Sequence, residues 1–273
     1  MNSLIVGALL TTFISLPDTG PDANAFGSMV RNAQQVELQL NVADGIHSPV
    51  LFIDQLYTDE NGIYSYRTPD EITDAIKRSG HFGRIIFAFD EPYWRARHTG
   101  QNPEEVRMVM EMAQADFPTV EFMVIYAYAE LYHRYVADPT DLKLWLGVEH
   151  VGMDCYGDWN GCGGGVEGVP DVPIYVYLEE LYKIIQVSGS SAKLFLVPGA
   201  FTVDWINGMN TQEQAVQHID DYVTWAKDNS EKISGFGAFV WDDFNGIIGA
   251  KNLPLVKEKL LWAFKEMRNI SND

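Results

Sequence analysis

The sequence predicts an α/β fold, a single (β/α)8 TIM-type barrel over residues 1–273, incomplete or irregular at its N-terminus. Three observations predict it. Seven short runs are apolar on both faces and rich in Val, Ile, Phe and Tyr, as parallel strands covered on both sides must be. Longer amphipathic runs separate them, so strand and helix alternate with short connections. No Pro/Ser-rich linker and no charge run divides the 273 residues. The competing doubly wound sheet lacks its phosphate loop, because SLPDTGPDANAFG after the first run holds no G-x-G-x-x-G and no G-x-x-x-x-G-K.

The apolar runs are residues 4–14, 49–57, 84–91, 120–130, 150–157, 193–201 and 235–244. An eighth strand is sought in VELQLNV (36–42), unless residues 20–44 form one helix. Between the runs, RTPDEITDAIKRSG (67–80) opens with Thr68 as cap, Pro69 in the first turn and Glu71 closing a capping box. In residues 102–118, Asn102 caps, and Val106, Val109, Met110, Ala113 and Phe117 share one face, which is core packing and not a cofactor box. Residues 211–227 repeat the device, with Thr211 and Gln214 as the box and Val216, Ile219, Val223 and Ala226 inward. His218 in that helix reads as structural or solvated, not catalytic. Two further helices are expected at 175–186 and 253–267.

Charge narrows the partners. With 38 acidic and 19 basic residues the net charge is −19, a field that repels phosphate backbones and anionic lipid. Nucleic acid is excluded as a partner; a neutral or cationic ligand is compatible. Residues 4–16 are too short for a membrane span, and no later stretch is long enough. The first run reads as a buried strand. Read instead as a signal segment, with Ala23-Asn24-Ala25 as its cleavage site, it would send the protein out of the cytoplasm to a secreted or periplasmic location. No basic residue precedes Arg31, which argues against the signal. Cys155 and Cys162 permit either two thiols or one bridge across a Gly-rich loop, and their spacing is not a zinc pattern. Oligomeric state is not legible.

In a barrel, chemistry sits at the C-terminal ends of the strands. Carboxylates and aromatics gather there: Asp54 and Tyr57; Asp90, Glu91, Tyr93 and Trp94; Tyr126, Tyr128 and Glu130; Asp154, Tyr156 and Trp159; Trp241, Asp242 and Asp243. The opposite ends carry Arg84 and Lys193. Any single Asp there also suits the cap of a following helix. Glu91 resists that explanation, since Pro92, Tyr93 and Trp94 follow it and the next clear cap is Asn102. A carboxyl beside aromatics at the end of a buried strand is partly desolvated, which raises its pKa and suits it to general acid work.

The Asp90-Glu91-Pro92 strand end, followed by aromatics, resembles the N-E-P signature of TIM-barrel glycoside hydrolases. VGMDCYG and LFLVPGAF also look like strand ends of such barrels. The resemblance implies that Glu91 is the acid/base and that Asp90 stands where Asn is usual. It also implies a nucleophilic Glu three strands on, but LFLVPGAF has no carboxylate. Asp154 is then the first choice for the second carboxyl, as nucleophile or base, with Asp242 and Glu130 in reserve and Asp54 and Asp90 in support. Glu149 belongs to a strand entrance. Trp94, Tyr128, Tyr156, Trp159 and Trp241 supply faces for an oligo- or polysaccharide, and no metal or organic cofactor is required. The competing readings are a carbohydrate-binding barrel that has lost catalysis, and a metal-dependent hydrolase using Asp54, Asp90, Asp154 and Asp242. The second lacks any H-x-H or H-E-x-x-H.

Overall fold

The computed structural model describes residues 11–14, 27–30, 48–52, 57–60, 63–66, 68–71, 86–93, 102–128, 145, 147–162, 172–239, 243 and 246–270. For the strands before residue 67 and for Asp90 it describes the backbone alone. The strands are β1 (Thr11–Ile14), β2 (Gly27–Val30), β3 (Ser48–Phe52), β4 (Tyr57–Glu60), β5 (Ile63–Tyr66), β6 (Ile86–Asp90), β7 (Glu121–Ala127), β8 (His150–Asp154), β9 (Lys193–Val197), β10 (Phe201–Thr202), β11 (Ile233–Ala238) and β12 (Ile248–Gly249). The helices are α1 (Pro103–Asp116), α2 (Ile174–Val187), α3 (Gln212–Asp228) and α4 (Pro254–Ile270). The class is therefore α/β, with a mostly parallel sheet and alternating helices of TIM type.

Eight strands pair in parallel in the order β1-β11-β9-β8-β7-β6-β3-β2. Strand β1 bonds to β11 on one side, with Thr11 opposite Gly235, and to β2 on the other, with Phe13 opposite Gly27. The eighth strand is β2, ahead of the 36–42 run where it was sought, and its place inside the span 20–44 overturns the alternative of one helix there. Residues 36–42 lie outside the described residues. A second correction concerns the run 49–57. Its strand ends at Phe52, and Tyr57 instead opens an antiparallel hairpin in which Tyr57 pairs with Tyr66 and Glu60 with Ile63. In sequence the two strands are separated by Asn61-Gly62, a dipeptide that such hairpins favour.

Side chains alternate across the sheet. Phe87, Phe89, Phe122, Val124, Tyr126, Val151, Met153, Leu194 and Leu196 enter the larger cluster, which packs under the helices. Ile86, Ala88, Met123, Ile125, Phe195 and Val197 form a second cluster on the other face. Burying each large apolar side chain stabilises by about 1.5–3 kcal/mol. The helices dock as their periodicity requires. α1 buries Val106, Val109, Met110 and Ala113, with Phe117 half-buried, and Asn102 caps it by accepting from Glu104 N at 3.1 Å. α3 carries both halves of the Thr211/Gln214 capping box. Its inward face is Ala215, His218, Ile219, Tyr222, Val223 and Ala226, with Val216 only half-buried. Thr68 and Glu71 make the expected reciprocal bonds, the Thr68 N–H donating to the carboxylate at 2.9 Å.

At the N-terminal ends of the strands, polar groups serve pairing. Phe122 N donates to Glu149 Oε2 at 2.7 Å, and His150 Nε2 meets Glu121 Oε2 at 2.8 Å. Glu149 thus sits at a strand entrance, as expected. No helix among the described residues is long and apolar enough to cross a membrane.

Candidate functional site

β6 ends at Asp90, and the chain turns sharply at Glu91. Glu91 has φ +47°, the left-handed region, and is the non-glycine residue with positive φ among those described. Its N–H donates to Ile125 O of β7 at 2.7 Å, so the turn is tied to the sheet. Left-handed backbone breaks the two-residue alternation, so the half-buried Glu91 is freed from following Phe87 and Phe89 to the helix side. A non-glycine residue held there costs on the order of 1–3 kcal/mol and persists only where its surroundings enforce it.

Those surroundings are aromatic. Tyr93, two residues on, is buried and stacks on Tyr126 at 6.2 Å between centroids. Trp145 Nε1 donates to the Tyr93 hydroxyl at 3.3 Å, and the Trp145 ring meets Phe89 edge-on at 5.6 Å. Tyr93 is therefore core, and it anchors the turn that carries Glu91.

Asp154 ends β8. In register it lies between Ala127 of β7 and Val197 of β9. It shares its phase with Gly152, where an added Cβ would meet Ile125 and Val197 side chains at 3.3 Å. Those two belong to the second cluster, on the face away from the helices, so Asp154 stands on that face, one step beyond it. It is half-buried. Glu91 and Asp154 thus sit at the same end of the sheet on strands separated by β7, two strand spacings or about 9–10 Å of backbone.

The segment after Asp154 is clasped. Cys155 and Cys162 are disulfide-bonded, and both are buried, which settles the pair left open by sequence. Inside the clasp, Asp158 accepts from Asn160 N at 3.0 Å through Oδ1, and Cys162 N donates to Val172 O at 2.7 Å. Beneath it lies α3. Tyr222 is fully buried, and its hydroxyl reaches Cys155 O at 3.5 Å. Burial first, and then the Asp154 carboxylate, push its phenol far above the usual range. His218 packs edge-on against Tyr222 at 5.1 Å, and burial lowers its pKa to about 4, with the Gly157 backbone and Asp158 pulling weakly the other way. His218 is thus structural, not solvated. Half-buried Asp221 is shifted upward, chiefly by desolvation.

Of the expected aromatics, three can be followed. Tyr156 stacks on Phe239 beyond β11 at 5.5 Å and meets Phe201 edge-on at 5.2 Å. Tyr128, directly after β7, leans on Tyr177 at 6.2 Å. Trp159 packs on Tyr222 at 5.1 Å and on half-exposed Tyr175 at 6.4 Å. All three are half-buried at the C-terminal side of the strands. Asp54, Trp94, Glu130, Trp241 and Asp242 lie outside the described residues, as does the side chain of Asp90. Asp243 braces its own loop: Oδ1 accepts from Gly249 N at 2.9 Å and Oδ2 from Asn252 Nδ2 at 3.0 Å.

The end of β9 carries no acid. Residues 194–203 are all buried, and the tail bridges to β11 through Gly199 and Phe239. One rim residue was not expected from the strand ends: Trp205, in the loop after β10, is 65% exposed. Its signal was position alone, a Trp four residues past the run 193–201.

No protein-family model matches this chain, and no curated protein matches it. Solved structures do. A chitinase active domain from Pyrococcus furiosus, a catalytic-site mutant, matches with TM-score 0.52 and 12% identity over 88% of this chain and 79% of that one. A GH128 endo-β-1,3-glucanase from Amycolatopsis mediterranei, in complex with laminarihexaose, matches with TM-score 0.50 and 11% identity over 91% and 98%. The aldolase QR15 matches more loosely, with TM-score 0.40 and 10% identity over 94% and 96%. The two closer likenesses support the TIM-type fold, at a level of identity that speaks to fold alone.

Proposed function

We propose that the chain is one (β/α)8 barrel that hydrolyses O-glycosidic bonds with Glu91 and Asp154. The pairing of β1 with both β11 and β2 supports the barrel. The observation that carries the chemistry is the register that brings Glu91, on its left-handed turn, and inward-facing Asp154 to one end of the sheet, on the two strands that flank β7. Glu91 in its acid form gives its proton to the glycosidic oxygen as the bond to the anomeric carbon breaks. Asp154 either adds to that carbon, to be displaced later by water, or takes a proton from the attacking water. Two strand spacings, narrowed by two side chains, suit such a pair; carboxyls about 5–5.5 Å apart retain configuration, and about 6.5–9.5 Å apart invert it. The glycoside-hydrolase likenesses support this at the level of fold. Tyr128, Tyr156 and Trp159, with Trp94 and Trp241, would line the saccharide; Asp90 and Asp54 would support the pair, with Asp242 and Glu130 as reserve carboxyls.

The test is reducing-end release from neutral polysaccharides by wild type, Glu91→Gln and Asp154→Asn. Each substitution is expected to lower kcat by about 10³-fold or more, with binding retained. The acid-free end of β9 favours the second reading, a barrel that binds glycans without cleaving them. Binding by wild type without turnover on any of these polymers would replace the hydrolase with that reading.

A further inference from the structure

We propose that Trp205 is a stacking platform for a neutral hexopyranose unit, at a subsite away from the bond that is cut. The inference rests on the glycan-active reading above and extends it.

Trp205 is exposed yet held. Its loop, residues 203–210, is braced by Asn210, whose Nδ2 donates to Val203 O at 3.1 Å and to Asp204 O at 3.0 Å. Val203 N closes the loop by donating to Met209 O at 2.8 Å. β10 pairs with β12, Phe201 opposite Gly249, which ties this loop to the one after β11. Within that second loop, Gly246 has φ +83° and lies against the indole; a Cβ there would meet the far edge of the six-membered ring at 3.3 Å. The loop also abuts the clasp that follows Asp154. A Cβ on Gly208, at φ +84°, would fall 2.3 Å from Asp158 N. The indole therefore stands on a loop that abuts the clasp following Asp154, with its edge seated on a glycine and most of its surface in water.

An aromatic face fixed in solvent meets a flat apolar ligand with little ordering cost. The apolar face of a pyranose is such a ligand. The net charge of −19 selects for neutral sugars over uronic acids. Because Trp205 lies outward of the strand ends, it touches only a ligand long enough to span from the carboxyl pair to the rim.

The experiment compares wild type, Trp205→Ala and Trp205→Phe for binding and cleavage of cellohexaose, laminarihexaose and chitohexaose, each against its disaccharide. Trp205→Ala is expected to weaken affinity for the recognised hexasaccharide about tenfold or more, to leave the disaccharide unchanged, and to leave kcat on the disaccharide unchanged. Trp205→Phe should restore most of the loss, which a merely structural role would not predict. Equal hexasaccharide affinity in Trp205→Ala and wild type overturns the platform while leaving the Glu91-dependent hydrolase standing. Failure of wild type to bind any of the six sugars overturns both.

Discussion

His218 shows how one buried residue sets a response to acid. It is fully buried, closed in by Tyr222 and by the clasp around Gly157 and Asp158. Its folded pKa of about 4 lies below the ordinary 6.5, so between these values the unfolded chain binds the proton and the folded one does not. The His218 contribution is thus fully present above about pH 6.5 and is lost as pH falls toward 4. At 1.36 kcal/mol per unit the loss is on the order of 3 kcal/mol. His218→Phe should flatten that part of the stability curve, read as denaturant midpoint against pH from 7 to 4. A slope equal to that of wild type would refute the assignment. This role was half legible: periodicity placed His218 in the helix, but burial depends on the loop that closes over it.

At the scale of elements, the clasp and its neighbours act together. The bridge closes a loop of a few residues, and chain entropy assigns such a closure about 2–3 kcal/mol. Reduction, or Cys155→Ser with Cys162→Ser, should lower Tm accordingly; equal Tm with and without dithiothreitol would show that hydrogen bonds such as Cys162 N to Val172 O suffice. Gly208→Ala should also cost about 2–3 kcal/mol, since a methyl group meets backbone at a left-handed position, and an unchanged denaturant midpoint would count against that contact. Most elements were readable from local signals. Asn102 and the Thr211/Gln214 box marked helix starts, and two-faced apolar runs marked strands. Several short strands escaped, β2 and the hairpin of β4 and β5 among them. β2 is four residues, Gly-Ser-Met-Val, too short and too small in side chain for an apolar run, and only pairing on both sides makes it a strand. The hairpin of β4 and β5 did carry a signal, Asn61-Gly62, but Tyr-Thr-Asp-Glu before it is polar and reads as loop.

At the scale of the whole molecule, the charge of −19 acts on every ligand that approaches. Such a field slows anionic substrates and is screened by salt. Binding of polygalacturonate, if measurable, should strengthen several-fold between about 10 and 200 mM salt, while a neutral hexasaccharide responds little; the reverse order would place local basic groups at the mouth. The class of fold was legible because parallel strands must be covered on both faces, a constraint written into each run. That Glu91 and Asp154 lie at one end of the sheet was legible from their strand ends, whereas the register and the left-handed turn that fix their places arise from pairing across the sheet.

The short ladder between β10 and β12, with the glycine-to-backbone seat at Gly208, couples three consecutive rim segments. Under the proposed function, substrate preference would reside in a joined unit. Transplanting any one of those segments into another barrel would leave its contacts behind, whereas moving the trio would carry the surface intact.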